Sequence, residues 1–489
     1  EVVILDSDRD GFEQISQTLE HYQDISAVHI ISHGAVGMLR LGNSLVDKSR
    51  LSEKTSQLGA WKKALKPDGD ILLYGCNVAE GEIGVEFVED LSRLTGADVA
   101  ASTGDTGSAD LGGNWTLEFS TGLIETSPLF QASTLNDYGY LLENITGTAG
   151  DDTLTGNTDV DDMISGGAGD DTYRFEDDWG NDSVVENAGE GTDTLDFSTV
   201  TDDLTFTIHA NGTVSVTDGV NTVNNAANVE NLVGGKGNNT FFFDDQATLT
   251  GTIDGGPGNN TIDYSEYLTG VTVDLSTLTA HGTQGIANLH NITGGMGDDT
   301  LTGDAGDNIL IGGFGDDLLA GRTGNDTITG SDGTDTVSYS YLQKSPDEID
   351  QQKGVSVDLG SRAEQLVYTV ETPNQEDPES PLVTEEFDRL AEVENLIGSD
   401  YNDTLTGSLE PNEIFGGQGD DTLVGRAGDD ILDGGMGSDT ANYALEAAAV
   451  TADLREKTAT DGSGNTDTLN DIENLTGSQF DDTLYGDDA

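Results

Sequence analysis

The sequence predicts an α/β domain over residues 1–125, with a mostly parallel sheet and flanking helices, followed by an all-β parallel β-roll, a form of β-solenoid, over residues 143–489. Three observations predict it. Strand-like and amphipathic helical segments alternate through the first domain, as in an open parallel sheet covered by helices. Helical periodicity disappears after residue 142. Beyond it, nonapeptides rich in glycine and aspartate recur, each with a large apolar residue at one fixed position, and short internal periods of this kind build solenoids.

In the first domain, β-rich runs fall at residues 2–6, 27–33, 70–76, 98–102 and 114–120. Between them, Phe12, Ile15 and Leu19 share one helical face, Leu51, Leu58, Trp61 and Leu65 a second, and Phe87, Leu91 and Leu94 a third. Residues 126–142 have no clear period and read as a linker. The chain opens on Glu1 rather than Met and enters directly into a strand-like run, which reads as a processed or trimmed piece of something longer.

The densest repeats are GGMGDDTLT, GDAGDNILI, GGFGDDLLA, GRTGNDTIT and GSDGTDTVS over residues 294–338. A second run, GSDYNDTLT, GSLEPNEIF, GGQGDDTLV, GRAGDDILD and GGMGSDTAN, covers residues 398–442. Shorter traces lie at 147–174, 234–242, 255–263 and 477–485. A longer period overlies these. DTLDF, NTIDY, DTVSY and DTANY each close a group of nonapeptides, followed by a strand-like stretch and then by NVENL, NLHNI, EVENL or DIENL. This makes four or five super-repeats. The interval between Tyr339 and Tyr443 is lengthened by an irregular acidic insertion, Gln343 to about Asp388. It holds Pro346, Pro373, Pro378 and Pro381 and reads as a surface loop.

Charge separates the two parts. The chain carries a net charge of −73, 65 glycines and only 34% hydrophobic residues. Residues 1–146 hold 23 acids and 9 bases. The remainder holds 69 acids and 10 bases, with no basic patch to meet phosphates, which argues against a nucleic-acid partner. Cys76 is the only cysteine, so an intrachain disulfide framework is excluded. No apolar run approaches the roughly 18 residues of a membrane span, and no signal peptide opens the chain.

The acids recur at fixed spacing beside glycines, which is a ligand pattern rather than a solvated tail. In G-G-x-G-x-D-x-U-x the glycines permit a tight turn, and the apolar residues Leu301, Leu310, Leu319, Ile328 and Val337 sit on short strands and point inward. Two nonapeptides make one coil, so every second repeat stacks. That places Asp299, Asp317 and Asp335 on one side and Asn308 with Asp326 on the other. In the second run the sets are Asp403, Asp421 and Asp439 against Asn412 and Asp430. Coils about 4.8 Å apart bring these carboxylates into mutual repulsion unless a cation lies between them. Ca²⁺ accepts six to eight hard oxygens. Mg²⁺, with its tight octahedron, fits less well, and there is no His/Cys cluster for zinc or copper. The candidate metal ligands are these eight Asp residues of the two runs together with Asp152, Asp162, Asp171 and Asp482. Asn308, Asn412, Asn239 and Asn260 stand where a ligand Asp would be, so those sites are expected to be weak or empty.

With this motif the sequence resembles the RTX (repeat-in-toxin) family of secreted proteins over most of residues 147–489. The resemblance implies several Ca²⁺ ions, export in an unfolded state by type I secretion, folding outside a bacterial cell, and metal-coupled folding.

In the first domain, AVHIISHG ends one apolar strand at His33-Gly34, and DILLYGCNV ends the next at Cys76. Neighbouring parallel strand ends lie at one edge, so a base and a nucleophilic thiol can approach there. These residues resemble the caspase-like cysteine peptidases. SHG, LGN, YGCNV, ASTGDTG and GGNWTLE are similar to an uncharacterised domain near the front of large bacterial surface proteins. The resemblance implies His33 as general base, Cys76 as nucleophile, and the Gly34 N–H as part of an oxyanion hole. Domains of this type usually begin with a strand and helix that precede the counterpart of residues 2–6, so a sheet edge that is either unpaired or filled by another chain is expected.

Two functions follow. One is a secreted or cell-surface calcium-binding structural protein (an adhesin, surface-layer or matrix-fibre component), with a cell-surface or matrix partner and head-to-tail self-association into filaments. The other is a caspase-like cysteine peptidase, self-processing, that carries the roll as a secretion and stability module.

Overall fold

The computed structural model describes residues 2–5, 9–42, 44–107, 113–126, 144–158, 161–343, 354–372 and 382–487. The segment expected to be a linker lies almost wholly outside them. The chain forms two compact units, Glu1–Val200 with Thr213–Val229, and Thr201–Gly212 with Glu230–Ala489.

The first unit begins with the α/β domain. Its sheet runs β1 (Ile25–Ile31), β5 (Leu65–Tyr74), β6 (Asp98–Ala101) and β7 (Phe119–Ser120). The first three strands are parallel and β7 is antiparallel. A small meander, β2 (Gly34–Ala35), β3 (Met38–Leu41) and β4 (Ser44–Val46), follows β1. Among the described residues, four helices accompany the sheets: α1 (Gly11–Leu19), α2 (Lys48–Glu53), α3 (Thr55–Ala64) and α4 (Gly81–Thr95). Phe12, Leu58, Trp61, Phe87, Val88 and Leu91 from the helices close over Ile71, Leu73 and Val99 of the sheet. Asp10 and Asp47 cap α1 and α2 by accepting backbone N–H bonds from Glu13 and Arg50, which satisfies donors left open by the first helical turn.

Three expected elements differ. Residues 2–5 make no strand, and Val2 and Ile4 are exposed, because an apolar run forms a strand only where a neighbouring edge offers a ladder. The helical face drawn through Leu51–Leu65 is split. Lys54 breaks it into α2 and α3, and Leu65 is already extended as the chain approaches Pro67, whose ring disfavours helix in the residue before it. The run at 114–120 forms a strand only at Phe119 and Ser120, opposite Ala101 and Ala100, with an isolated parallel bridge from Asn114 to Thr106, since β6 is itself only four residues long.

The remainder of each unit is a parallel coil of short strands. In the first unit, Thr153–Thr155, Thr172–Arg174 and Thr194–Asp196 stack in register, as do Asn144–Thr146, Met163–Ser165 and Asn181–Val185. In the second, Thr300–Thr302, Leu318–Ala320 and Thr336–Ser338 stack on one side, and Asn291–Thr293, Ile309–Phe314 and Thr327–Asp332 on the other. Leu301, Leu310, Leu319, Ile328 and Val337 all face inward and are fully buried, as are Leu405, Ile414, Leu423 and Leu432 of the second run. The turns need glycine. Gly313 and Gly315 have φ of 116° and 117°, in the left-handed region that a side chain strains. The acidic insertion is not only a loop. Its described residues form an antiparallel hairpin, Gln365–Thr372 against Leu382–Ala391, whose second strand continues the roll by pairing with Thr327–Thr329. Val367 and Tyr368 are buried within it, and β-branched and aromatic residues of this kind favour the pleated surface.

Candidate metal centre

The in-register strands carry the aspartates two residues before each apolar position into rows. Asp317 Oδ1 accepts the N–H of Asp299 at 2.8 Å, and Asp335 Oδ1 that of Asp317 at 2.9 Å. On the other side, Asp326 Oδ1 accepts the N–H of Asn308 at 2.8 Å. The second run repeats this from Asp403 to Asp421 to Asp439, each at 2.8 Å, and from Asn412 to Asp430 at 2.9 Å. Asp171 takes the N–H of Asp152 in the same way. One oxygen of each carboxylate is thus fixed by the preceding coil.

The other oxygen is what matters for chemistry. Oδ2 of Asp171, Asp317, Asp326, Asp335, Asp421, Asp430 and Asp439 is buried and accepts no hydrogen bond. Each of these residues is at most 2% exposed. A buried carboxylate oxygen without a partner is costly, and two sets of three, each nine residues apart (Asp317, Asp326, Asp335 and Asp421, Asp430, Asp439), imply a shared compensating group. A methyl group added to Gly312 would collide with both Asp317 Oδ2 and the Gly330 carbonyl oxygen. At Gly416 it would meet Asp421 Oδ2 and the Gly434 carbonyl, and at Gly330 it would meet Asp335 Oδ2 and the Glu392 carbonyl. Carboxylate and carbonyl oxygens therefore converge on a spot that only glycine leaves open. Such an anionic, all-oxygen cradle is what Ca²⁺ requires.

The electrostatics agree. Burial, reinforced by carboxylates along the row, pushes Asp317 and Asp421 up to about 7. Burial first, then neighbouring acids, pushes Asp326 up to about 8 and Asp335 and Asp430 up to about 6. Without a cation Asp326, Asp317 and Asp421 retain protons near neutral pH.

The remaining expected ligands are placed differently. Asp299 Oδ2 accepts the Gly295 N–H at 2.6 Å, and Asp403 Oδ2 the Ser399 N–H at 2.6 Å. Asp152 and Asp162 are served by Thr148 and Asn157. Asp482 is held by the Ser478 hydroxyl and the Val450 N–H, which lower its pKa. These five residues begin rows or stand apart from them, and protein donors already occupy oxygens that are free elsewhere.

Sequence reasoning missed the residues that extend the rows beyond the motif. Asp182 continues the row of Asp162, and Asp193 that of Asp171. Asp388 follows Asp326, Asp467 follows Asp430, Glu394 follows Asp335 and Glu473 follows Asp439. Asp182 Oδ2 and Glu186 Oε2 are also buried without a partner, and Asp171, Glu186 and Asp193 form a buried oxygen cluster. Burial first, then Asp162 and Asp161, pushes Asp182 up to about 8. The signal was present in the glutamates of EVENL and DIENL, and in the shared spacing of Asp388-x-Leu390 and Asp467-x-Leu469.

Asn239 and Asn260 solve the same problem without charge. The Asn239 amide nitrogen donates to the carbonyls of Gly235, Gly237 and Gly255 at 3.0–3.1 Å. Asn260 donates to Gly256 and Asn288, both at 2.9 Å. Asn308 and Asn412 likewise donate to the carbonyls of His290 and Glu394. An NH₂ group stands toward carbonyls of the kind a cation would take.

At the sheet edge of the α/β domain, Ile31 pairs with Tyr74 and the Ser32 N–H donates to the Tyr74 carbonyl. His33-Gly34 and Gly75-Cys76 therefore leave adjacent strand ends, as the sequence implied, and a methyl group at Gly34 would meet the Cys76 carbonyl. The thiol itself is enclosed. Cys76 is fully buried, its Sγ accepts the Thr106 N–H at 3.1 Å, and its S–H reaches the Thr106 carbonyl at 3.5 Å. Burial depresses the His33 pKa, assisted by Arg40, and His33 Nδ1 is buried without a hydrogen-bond partner. This is a neutral imidazole near a thiol covered by residues 102–106.

Comparison with known families agrees with this division. Residues 1–142 match the family described as a domain of unknown function, DUF4347. Residues 143–173, 293–328, 311–339 and 407–441 match the RTX calcium-binding nonapeptide repeat. No curated protein matches the chain. The chain thus carries an N-terminal DUF4347 domain and RTX calcium-binding repeats of the kind typical of secreted bacterial proteins, and its cofactor is Ca²⁺ in several copies.

Proposed function

We propose that the protein is a secreted or cell-surface structural component, an adhesin, surface-layer or matrix-fibre part, whose roll becomes rigid when it meets extracellular calcium. The observation that carries this reading is the recurrence of buried, unpartnered aspartate oxygens in the coils, with Asp317 and Asp335, and again Asp421 and Asp439, one coil apart. The ligands are Asp171, Asp317, Asp326, Asp335, Asp421, Asp430 and Asp439, joined at Asp317, Asp335 and Asp421 by the carbonyls of Gly330, Glu392 and Gly434. Bound calcium supplies the positive charge that these rows lack. The chain's own residues fix one oxygen of each carboxylate and hold the other toward the turn. At low calcium, the net charge of −73 opposes compaction. At millimolar calcium the rows close and the coils stack.

Far-UV circular dichroism and small-angle scattering of the full chain, in chelator and then through a calcium titration, test the reading. A cooperative gain of β signal with a fall in radius of gyration is expected. An unchanged chain would refute it. Self-association belongs to the same reading and is checked by electron microscopy with and without calcium, where filaments support it and dispersed particles count against it.

The adjacency of His33 and Cys76 at neighbouring strand ends favours a second reading, a calcium-dependent cysteine peptidase in the α/β domain. It requires the cover formed by Thr106 to open. Iodoacetamide labelling of Cys76 in calcium, together with loss of any peptide or self-cleavage in Cys76→Ala, is its test. A thiol that stays unreactive and intact masses that match the variant's would rule it out.

A further inference from the structure

We infer a separate calcium site in the α/β domain, at the sheet edge opposite His33 and Cys76, formed by Asp70, Asp98 and Glu125. Asp70 and Asp98 open the paired stretches of β5 and β6 and lie directly opposite each other in the parallel register. A carboxylate oxygen from each, and one from Glu125, all lie within 4.8 Å of one another. Asp70 is fully buried. Its Oδ2 accepts the Thr126 N–H at 3.0 Å, whereas its Oδ1 is buried with no hydrogen-bond partner. Asp98 lies against Gly122, where a methyl group would strike its carboxylate.

Among the described residues, no lysine or arginine forms an ion pair with any of these three acids. His29, on which Asp70 acts, has its own pKa depressed by burial. Three converging acids, one of which carries a buried, unpartnered oxygen, need a positive charge. The donors are all oxygen, and two come from a strand pair with rigid spacing while the third comes from an exposed segment that can adjust. That combination suits the variable shell of Ca²⁺ better than the strict octahedron of Mg²⁺. The site fastens residues 119–126 to the starts of β5 and β6, so the same ion that closes the roll also pins the last described stretch of the α/β domain.

Hydrogen exchange with mass spectrometry on the full chain separates this site from those of the roll, because the readout is local. With calcium at about ten times the site's Kd, amides that open together with the site gain roughly tenfold protection. That gain is expected in peptides covering residues 96–101 and 119–126 of the parent, and its loss in Glu125→Gln, whose exposed position leaves folding undisturbed. Asp98→Asn provides the second variant. Asp421→Asn with Asp439→Asn weakens the roll and leaves the protection at 119–126 unchanged. Equal protection in the parent and Glu125→Gln, or none in the parent, would overturn the site. Protection by Mg²⁺ equal to that by Ca²⁺ would overturn the calcium assignment.

Discussion

The coils around Asn239 and Asn260 and those of the run at residues 294–338 share a backbone plan but differ in what holds the turns. In the run, Asp317, Asp326 and Asp335 each present a buried oxygen with nothing to donate to it. Around Asn239 and Asn260, the amide nitrogens donate to turn carbonyls directly. Their interiors differ too. Phe206 stacks on Phe241 and Phe243 on Tyr264, with centroids 4.6 and 4.8 Å apart, where the run has a slim ladder of Leu301, Leu319 and Val337. One segment is built from neutral hydrogen bonds and large aromatic burial. The other is left incomplete so that a cation can finish it. The difference teaches that a single repeat plan can satisfy its turns with its own amides in one stretch and leave oxygens for a cation in another.

The largest expected effect is the response to chelation. In excess chelator, peptides within residues 300–338 and 404–442 should exchange near the rate of an open chain, while peptides within residues 240–264 stay protected. Uniform exchange across all three would break the comparison. Exchanging a ligand is the next test. Asp317→Asn or Asp421→Asn should weaken the calcium-driven transition by at least about tenfold in midpoint, read by isothermal titration calorimetry, whereas a substitution at Asn239 should leave that midpoint in place.

Asn239→Asp reverses the design. It replaces an amide nitrogen whose two hydrogens are shared among four acceptors, on Gly235, Gly237, Gly255 and Asn260, with a carboxylate that can donate none. In chelator this segment should lose about 1–3 kcal/mol, and calcium should restore part of that loss. No calcium response in the variant would mean that the surrounding carbonyls do not make a cation cradle.

Acidity sharpens the same contrast. Asp317 and Asp421 sit at about 7 and Asp326 at about 8 when folded without metal, above the ~3.9 of an unfolded aspartate. The folded rows therefore bind protons that the unfolded chain releases. Stability of the metal-free rows is greatest below the unfolded value and falls as pH rises through about 6 to 8. Calcium competes with those protons, so its affinity rises through the same window. Calorimetry at pH 5.5 and pH 8 should show much tighter binding at the higher pH and fewer protons released there, while the asparagine coils show no such dependence.

How much of this was legible depended on whether the signal was periodic. Rows such as Asp299–Asp317–Asp335 were readable because glycine, aspartate and an apolar residue recur every nine positions, and a fixed period fixes the stacking. Asp388, Asp467, Glu394 and Glu473 were not, because they enter the rows after insertions that interrupt the count, 62 residues after Asp326 in the case of Asp388. The role of Asn239 was legible as the lack of a charge but not as a donor, since the direction of an amide depends on which carbonyls surround it. In the α/β domain the adjacency of His33 and Cys76 followed from strand alternation, whereas the cover by Thr106 depends on a loop without period.

The smallest effect lies where the rows stop. The Tyr339 hydroxyl donates to Asp388 Oδ2 and the Tyr443 hydroxyl to Asp467 Oδ2, each at 3.0 Å. The other oxygens of Asp388 and Asp467 already accept the N–H of Asp326 and Asp430, so a tyrosine ends each of these rows where a cation would otherwise be needed. In the asparagine coils the equivalent Tyr264 donates to a plain carbonyl, that of His281, at 2.6 Å. Tyr339→Phe and Tyr443→Phe should each cost about 1 kcal/mol in calcium-loaded stability by thermal denaturation, without lowering the number of ions bound. Tyr264→Phe leaves a neutral carbonyl unpaired rather than a carboxylate, so its cost should be smaller and independent of pH. Should Tyr339→Phe instead gain an ion, the row would prove to be limited by the hydroxyl rather than by the geometry of its last coil.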